Sequence, residues 1–305
     1  MGEIFRGTLM GPGGVKRPVA LKMIREKHLS NETVARMFFE EAQLSFLLVH
    51  PNIVQTFELG ELNKRYFLVS EYVQGIDLET LLSRIKPLPI KISTHIMSRV
   101  LRGLAYAHSL KTSEGKQLNV VHRDISPANI MISFEGHVKL TDFGLAKSLL
   151  RQESAFGELK GKIAYMSPEQ LRGDAAIDLR SDLYAIGLVF FEMLRGKPAY
   201  DITTLAWWKP RPKLSEMLFS ADNKTPAERS LIAMFRDCLA DEVSERPLSS
   251  EVLARSLDQV IHQHNMGISD FDFSDFLKQH RDTLSKKSAP MDPFNIALEE
   301  ELNRL

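Results

Sequence analysis

The chain of 305 residues has a single cysteine, Cys238, and no net charge, its 39 basic residues matching 39 acidic ones. One thiol excludes an intrachain disulfide and a thiolate metal cage. Cys238 stands in the apolar stretch LIAMFRDCLA and is expected to be a buried structural thiol. A balanced charge provides no global field for coating nucleic acid or gripping an anionic membrane. Long apolar runs are also missing. The best, Leu183 to Leu194, is broken by Glu192 and falls short of the ~20 residues a bilayer-spanning helix needs. No charged-then-apolar leader opens the sequence. These shortages predict a soluble, cytoplasmic protein with no membrane span and no nucleic-acid partner. The length is too great for one small core and suits two packed lobes or two domains.

The first part of the chain reads as β-rich. Glu3–Leu9 and Val19–Ile24 carry β-branched and aromatic residues on either side of a Gly-Pro-Gly-Gly turn at 11–14. Ser30-Asn31-Glu32 then opens a helix with Phe38, Phe39, Ala42 and Phe46 expected on its apolar side, ended by His50-Pro51-Asn52. Two more strands are predicted near Ile53–Leu59 and Tyr66–Val73, around a polar turn at Glu61–Arg65. From Asp77 the pattern becomes helical, and Ile92, Ile96, Val100 and Leu104 mark one buried stripe. The predicted division is residues 1–73 as a first lobe, 74–262 as a second, and 263–305 as a tail, helical or partly disordered. That tail, with its aromatic-acidic texture (Ser269-Asp270-Phe271-Asp272-Phe273), reads as an appendix.

Four segments carry the chemistry: His122-Arg123-Asp124, Asn129, Asp142-Phe143-Gly144 and Ser167-Pro168-Glu169, in that order and with fitting gaps. Together with Lys22 in Val19-Ala20-Leu21-Lys22, they resemble the eukaryotic-like serine/threonine protein kinases over about Gly2 to Ile261. The resemblance implies an α+β, bilobal fold with a small β-rich N-lobe and a larger helical C-lobe. It implies transfer of the γ-phosphoryl group of ATP to protein hydroxyls, with autophosphorylation. The metal would be Mg²⁺, with Mn²⁺ as the alternative. Asp124 becomes the base and Lys22 the grip on the phosphates. Asn129 and Asp142 become the metal ligands, as hard oxygen donors should. The nucleotide-binding set is Gly2, Ile4, Ala20, Lys22, Glu41, Ser70, Glu71, Val73, Asp77, Asn129 and Asp142. Glu41 is the expected partner of Lys22 by its register to His50-Pro51-Asn52, with Glu40 as a rival. Ser70 would leave the back of the adenine pocket open. Asp77 would meet the ribose, or else be a solvated turn carboxylate. Asp182 is expected to hold the catalytic loop's backbone, and Glu169 to pair with Arg246.

Three departures from the family pattern stand out. Gly2-Glu3-Ile4 matches only the last part of the glycine-rich loop, an expectation of weakened ATP binding. Ser126 stands where the family places lysine, while Lys162 stands where it places threonine. We read this as an exchange that keeps one cation beside the transferring group, shared with a bacterial subset of the family. The competing reading makes Lys162 a surface charge. Glu158 holds the usual phosphorylated position of the activation segment and is read as a carboxylate substitute, with Ser154 as the alternative switch. Ala128 replaces an acidic residue that some kinases use to read a basic substrate. The runner-up function is a pseudokinase, a nucleotide-binding or scaffold module. Dimerisation is left open.

Overall fold

The computed structural model describes residues 2–25, 31–62, 65–143, 163–174, 177–200 and 225–284. β1 (Gly2–Met10) and β2 (Lys16–Ile24) pair antiparallel across a 3-10 turn at Pro12–Gly14. β3 (Thr56–Leu62) and β4 (Arg65–Glu71) complete a four-stranded sheet in the order β1-β2-β4-β3. Period-two alternation divides β2: Val19, Leu21 and Met23 are buried, while Ala20 and Lys22 face the other side half-buried. β3 starts three residues later than the sequence implies. Ile53 leaves this sheet to bridge Leu140 of the second lobe.

α1 (Glu32–Leu47) begins where Asn31 Oδ1 accepts from Val34 N at 3.1 Å. Its buried face of Val34, Met37, Phe38, Glu41, Ala42 and Leu44 lies partly on Ile24 and Leu68 of the sheet. Phe46 does not share that face: it is exposed, and Phe39 is half-buried edge-on to Tyr66. By the last turn the helix has passed the sheet, and Leu44 and Leu48 enter the core of the second lobe instead.

The second lobe holds a small sheet of β5 (Gly75–Asp77), β6 (Ile130–Ser133) and β7 (Val138–Leu140), in that order. Its helices are α2 (Leu78–Arg84), α3 (Ile90–His108), α4 (Pro168–Arg172), α5 (Arg180–Arg195), α6 (Pro226–Asp237) and α7 (Ser250–Gln263). The chain ends its described part with α8 (Asp270–Gln279) and α9 (Arg281–Leu284). Ile92, Ile96, Val100 and Leu104 of α3 are all buried. α5 is buried at every position from Ser181 to Met193, so the longest apolar run of the sequence is the lobe's central helix. Cys238 is fully buried, and burial pushes its thiol well above the ordinary range. Among the described residues no helix is long and apolar enough to cross a membrane.

The segment after α1 ties the two lobes together. Asn52 O accepts from Leu140 N at 2.8 Å, Val54 N donates to Leu140 O at 2.8 Å, and Asn52 Nδ2 reaches Val138 O at 2.9 Å. β7, which leads to Asp142, is thereby fastened to the segment that follows α1.

The residues from 263 to Leu284 pack against the second lobe. Phe273, Leu277 and Leu284 belong to the main core. Ser274 Oγ donates to Phe134 O at 2.7 Å, and Arg99 pairs with Asp270 at 2.8 Å. At the β6–β7 turn, Gly136 has φ +91° and faces Asp270 O so closely that a Cβ would come within 2.0 Å of it. Residues 285–305 lie outside the described residues.

Candidate active site

The cleft between the lobes is organised by one buried ammonium. Lys22 Nζ bonds Glu41 Oε1 of α1 and lies 2.6 Å from Asp142 Oδ1, just beyond β7. Burial alone would push the Lys22 ammonium down, but the two carboxylates, Asp142 first, reverse this and hold it above the usual lysine value. Glu41 is buried three residues after Phe38 on the inward face of α1. Glu40 instead lies 4.0 Å from Arg36 along the helix surface, which removes it as a rival.

The catalytic loop is held in a backbone shape that its residues do not adopt freely. Arg123 has φ +63° and Asp142 φ +58°, left-handed conformations that cost about 1–3 kcal/mol for residues with a side chain. Asp182, buried near the start of α5, opposes that cost by accepting from His122 N at 2.7 Å and Arg123 N at 2.8 Å. His108 Nε2 lies 2.9 Å from the same carboxylate, and its Nδ1 is 2.9 Å from Ser250 Oγ. Gln170 Nε2 donates to Arg123 O at 3.0 Å. Asp182 was legible from its register, but His108, Ser250 and Gln170 were missed. Their partners lie far away in sequence and no spacing announces them.

Asp124 and Asn129 meet directly. Asn129 Nδ2 donates to Asp124 O at 2.6 Å and to Asp124 Oδ2 at 2.7 Å, both residues being buried. Thr141 N donates to Asn129 O at 3.1 Å, which brings the Asp142 segment alongside. His122 accepts at Nδ1 from Asp124 N (3.3 Å) and so donates from Nε2 to Thr141 O (3.0 Å). Its ring lies 4.4 Å from that of Phe143, which is buried in the main core. Ser126 Oγ is buried with no hydrogen-bond partner among the described residues. Lys162, Glu158, Ser148 and Ser154 lie outside them.

On the nucleotide side, Ile4 stands opposite Lys22 and Ala20 opposite both Arg6 and Ser70, so these residues share one face of the sheet. Ile4 is exposed, and Gly2 pairs with Ile24 at the end of β1. Ser70 Oγ is 3.5 Å from Ala20 O, a small side chain that fills little space. The Glu71 carboxylate is taken by Lys139 at 2.9 Å, and Glu71 N by Gln55 O at 2.8 Å. Its carbonyl is what it can offer a ligand; Val73 is half-buried nearby in sequence. Asp77 Oδ1 caps α2 by accepting from Thr80 N at 2.6 Å, so one of its oxygens serves the fold. Sequence reasoning missed Arg6, whose guanidinium lies 4.8 Å from the Tyr72 ring.

Among the described residues no cluster of three or more His, Cys, Asp or Glu side chains could hold a metal ion. Asn129 and Asp142 instead supply a pair of oxygen donors. That is too few for an all-protein cage and right for an octahedral cation completed by phosphate oxygens and water. The donor types therefore fit an octahedral divalent cation that brings most of its ligands with it.

Residues 13–257 match the family described as protein kinase domain. The chain belongs to the protein kinase family. It is 34% identical over 292 residues to the tyrosine-protein kinase MasK of Myxococcus xanthus, covering 92% of this chain and 44% of that protein. It is 39% identical over 186 residues to the serine/threonine-protein kinase PrkC of Bacillus subtilis, covering 61% of this chain and 27% of that protein. The PknI kinase domain of Mycobacterium tuberculosis superposes with a TM-score of 0.62 at 27% identity, over 85% of this chain and 90% of that one. The chain thus spans less than half the length of these two curated relatives. Its kinase domain is α+β and bilobal, and such a domain uses ATP with a divalent metal.

The start of α4 is anchored by Glu169, which receives Arg246 Nη1 at 2.6 Å and Nη2 at 2.8 Å, and Ser181 Oγ at 2.5 Å. Burial raises the Glu169 carboxyl, but the bonds from Arg246 and Ser181 more than reverse it and hold it at about 2, against an ordinary 4.5. A depressed folded-state value contributes stability above the unfolded value, and that contribution is lost as pH falls toward the folded one. The stability gap between the parent and Glu169→Gln, from denaturant titrations at several pH values, should therefore be constant above about pH 5. It should shrink by about 3 kcal/mol between 4.5 and 2. A gap that does not change with pH would show that the ion pair contributes nothing specific.

Proposed function

We propose that this domain is a catalytically active serine/threonine kinase in which Lys22, Asp124, Asn129, Asp142 and Lys162 carry the transfer. The observation that supports this most is that Lys22 lies between Glu41 and Asp142, while the Thr141 N–Asn129 O bond ties the Asp142 segment to the Asp124–Asn129 pair. Lys22 is kept charged and aimed, ready to grip the phosphates of ATP. Gly2, Ile4, Ala20, Ser70 and Val73 border the adenine, which meets the Glu71 carbonyl, and Asp77 keeps one oxygen for the ribose. Asp124, oriented by Asn129, accepts the proton of the substrate hydroxyl as that oxygen attacks the γ-phosphorus and the bond to the β–γ bridging oxygen breaks, releasing ADP. Asn129 and Asp142 would hold Mg²⁺, which neutralises charge on the phosphate oxygens. Mn²⁺, which takes the same oxygen donors, is the alternative.

The test is transfer of label from γ-labelled ATP to a generic protein, followed by identification of the labelled amino acid. Label is expected on serine or threonine, none with excess chelator, and none with Asp142→Ala. Transfer that persists in chelator, or label confined to tyrosine, would refute the assignment.

Ser126 is read as one half of an exchange with Lys162. A lysine at position 126 would sit beside the γ-phosphate; a buried, unpartnered hydroxyl there leaves room for a cation from another segment. Lys162→Ala should lower kcat by roughly 10²–10³, the usual effect of losing one preorganised charge-assisted contact, with KM for ATP nearly unchanged. Ser126→Lys combined with Lys162→Thr should recover much of that loss, which no bystander lysine would allow. Full activity in Lys162→Thr alone would show that Lys162 is a surface charge. Glu158 is read as a built-in substitute for activation-segment phosphate, with Ser154 as the alternative.

A further inference from the structure

The chain is neutral as a whole, yet two packed strips of the C-lobe are not. From residue 80 to 98 it carries Arg84, Lys86 and Lys91 and no Asp or Glu; from 193 to 200 it carries Arg195 and Lys197 and again no Asp or Glu. The fold lays these strips against each other. Leu88 N donates to Met193 O at 2.8 Å, and a Cβ added at Gly196 would come within 2.9 Å of the Lys86 Cβ. Lys86, Lys91, Arg195 and Lys197 are exposed and Arg84 is half-buried. Among the described residues none of the five is paired with a carboxylate, although Arg195 lies over the Phe191 ring. Among the described residues, five cations on two packed strips make a local positive field, opposed at Lys86 by the mostly buried Glu192.

The seam borders the shelf on which a protein substrate would lie. Tyr165, two residues before Ser167, donates to Glu192 Oε2 at 2.5 Å, and Glu192 lies on α5 one turn before Arg195. Glu192 could have served as an anionic reader of basic substrates, but Tyr165 occupies it and burial pushes its carboxyl up, toward the neutral form. Ala128, exposed beside Asn129, offers no carboxylate either. Glu79, at the start of α2, is the acidic side chain closest in sequence to the first strip.

We propose that the seam between the α2–α3 connection and the C-terminal end of α5 is a docking surface for acidic segments of the substrate protein. It would give this kinase a preference for acceptor hydroxyls in acidic sequences. This rests on the reading of the domain as a protein kinase and adds a substrate class to it. An anionic membrane is the less fitting occupant, since none of the exposed large apolar side chains lies on either strip to insert into lipid.

The test measures binding apart from turnover. Fluorescence anisotropy would compare three labelled serine-containing peptides of one length, whose other charged positions are all Glu, all Gln or all Lys. The whole chain would be used, as the parent and as the triple variant Lys86→Glu, Lys91→Glu, Lys197→Glu. All three changes lie at exposed positions, and a thermal melt checks that the variant folds. The parent should bind the Glu peptide about tenfold more tightly than the Gln peptide at low ionic strength, the difference narrowing with salt over a Debye length of ~10 Å at 0.1 M. The triple variant should reverse the order and prefer the Lys peptide. A milder variant, Lys86→Gln with Lys197→Gln, should reduce the preference without reversing it. Equal binding of the Glu and Gln peptides by the parent would overturn the proposal, as would a preference that survives in both variants. So would capture of phosphatidylserine vesicles without binding of the Glu peptide. If the Glu peptide binds as expected while no labelled phosphate is ever transferred, the surface stands and the catalytic reading falls.

Discussion

The ammonium of Lys22 is the constraint on which the arrangement of this molecule turns. It is mostly withdrawn from water, and an unpaired buried charge is costly, so it must have anionic partners. One comes from each lobe: Glu41 from α1 and Asp142 from the end of β7. Removing one partner of such a buried pair typically costs ~3–5 kcal/mol, because the other charge is left stranded. The position of α1 and the backbone of the Asp142 segment are therefore linked through a single side chain. The inward face of α1, from Val34 to Leu44, and the bridging bonds of Asn52 and Val54 to β7 keep both carboxylates within its reach.

The same logic recurs deeper in the C-lobe with the signs changed. Asp182 is a buried carboxylate satisfied by two backbone amides and His108, and so it fixes a loop whose Arg123 is in a left-handed conformation. Glu169 is a second such anion, satisfied by Arg246 and Ser181. Gln170 connects the two, since it sits beside Glu169 and donates to Arg123 O. The loop around Arg123 and the start of α4 are thus parts of one hydrogen-bonded frame. Buried polar groups that are all satisfied hold a single geometry well, which a phosphoryl-transfer site requires more than it requires reactive groups.

How much of this could be read beforehand depended on the range of each signal. Lys22, Asp124, Asn129 and Asp142 stand in short segments whose resemblance to the kinase family implied one shared site. Glu41 could be told from Glu40 only by register, and burial on the inward face of α1 gives the physical reason. Phe46 misled because helical periodicity is local, whereas burial depends on where the supporting sheet ends. α8 was expected only within a tail, helical or partly disordered, and its packing on the second lobe was not foreseen for a similar reason. Its core contacts are chiefly Phe273 and Leu277, too few to make a stripe, and its other partners Arg99, Phe134 and Gly136 lie more than a hundred residues upstream. The Ser269–Asp272 capping box was present as a local signal of a helix start. The contacts of Arg6 and His108 had no such signal, being purely tertiary.

In the proposed transfer, the cation between Glu41 and Asp142 is the one that handles the phosphates of ATP. Single-turnover transfer from γ-labelled ATP to protein, made side by side on the parent, Lys22→Met and Glu41→Gln with nucleotide affinity measured separately, tests this. Rapid labelling by the parent and none above background by Lys22→Met are expected. Glu41→Gln, which leaves the cation in place but less well held, should be slowed by roughly 10-fold or more. Equal labelling rates for the parent and Lys22→Met would contradict this role for Lys22.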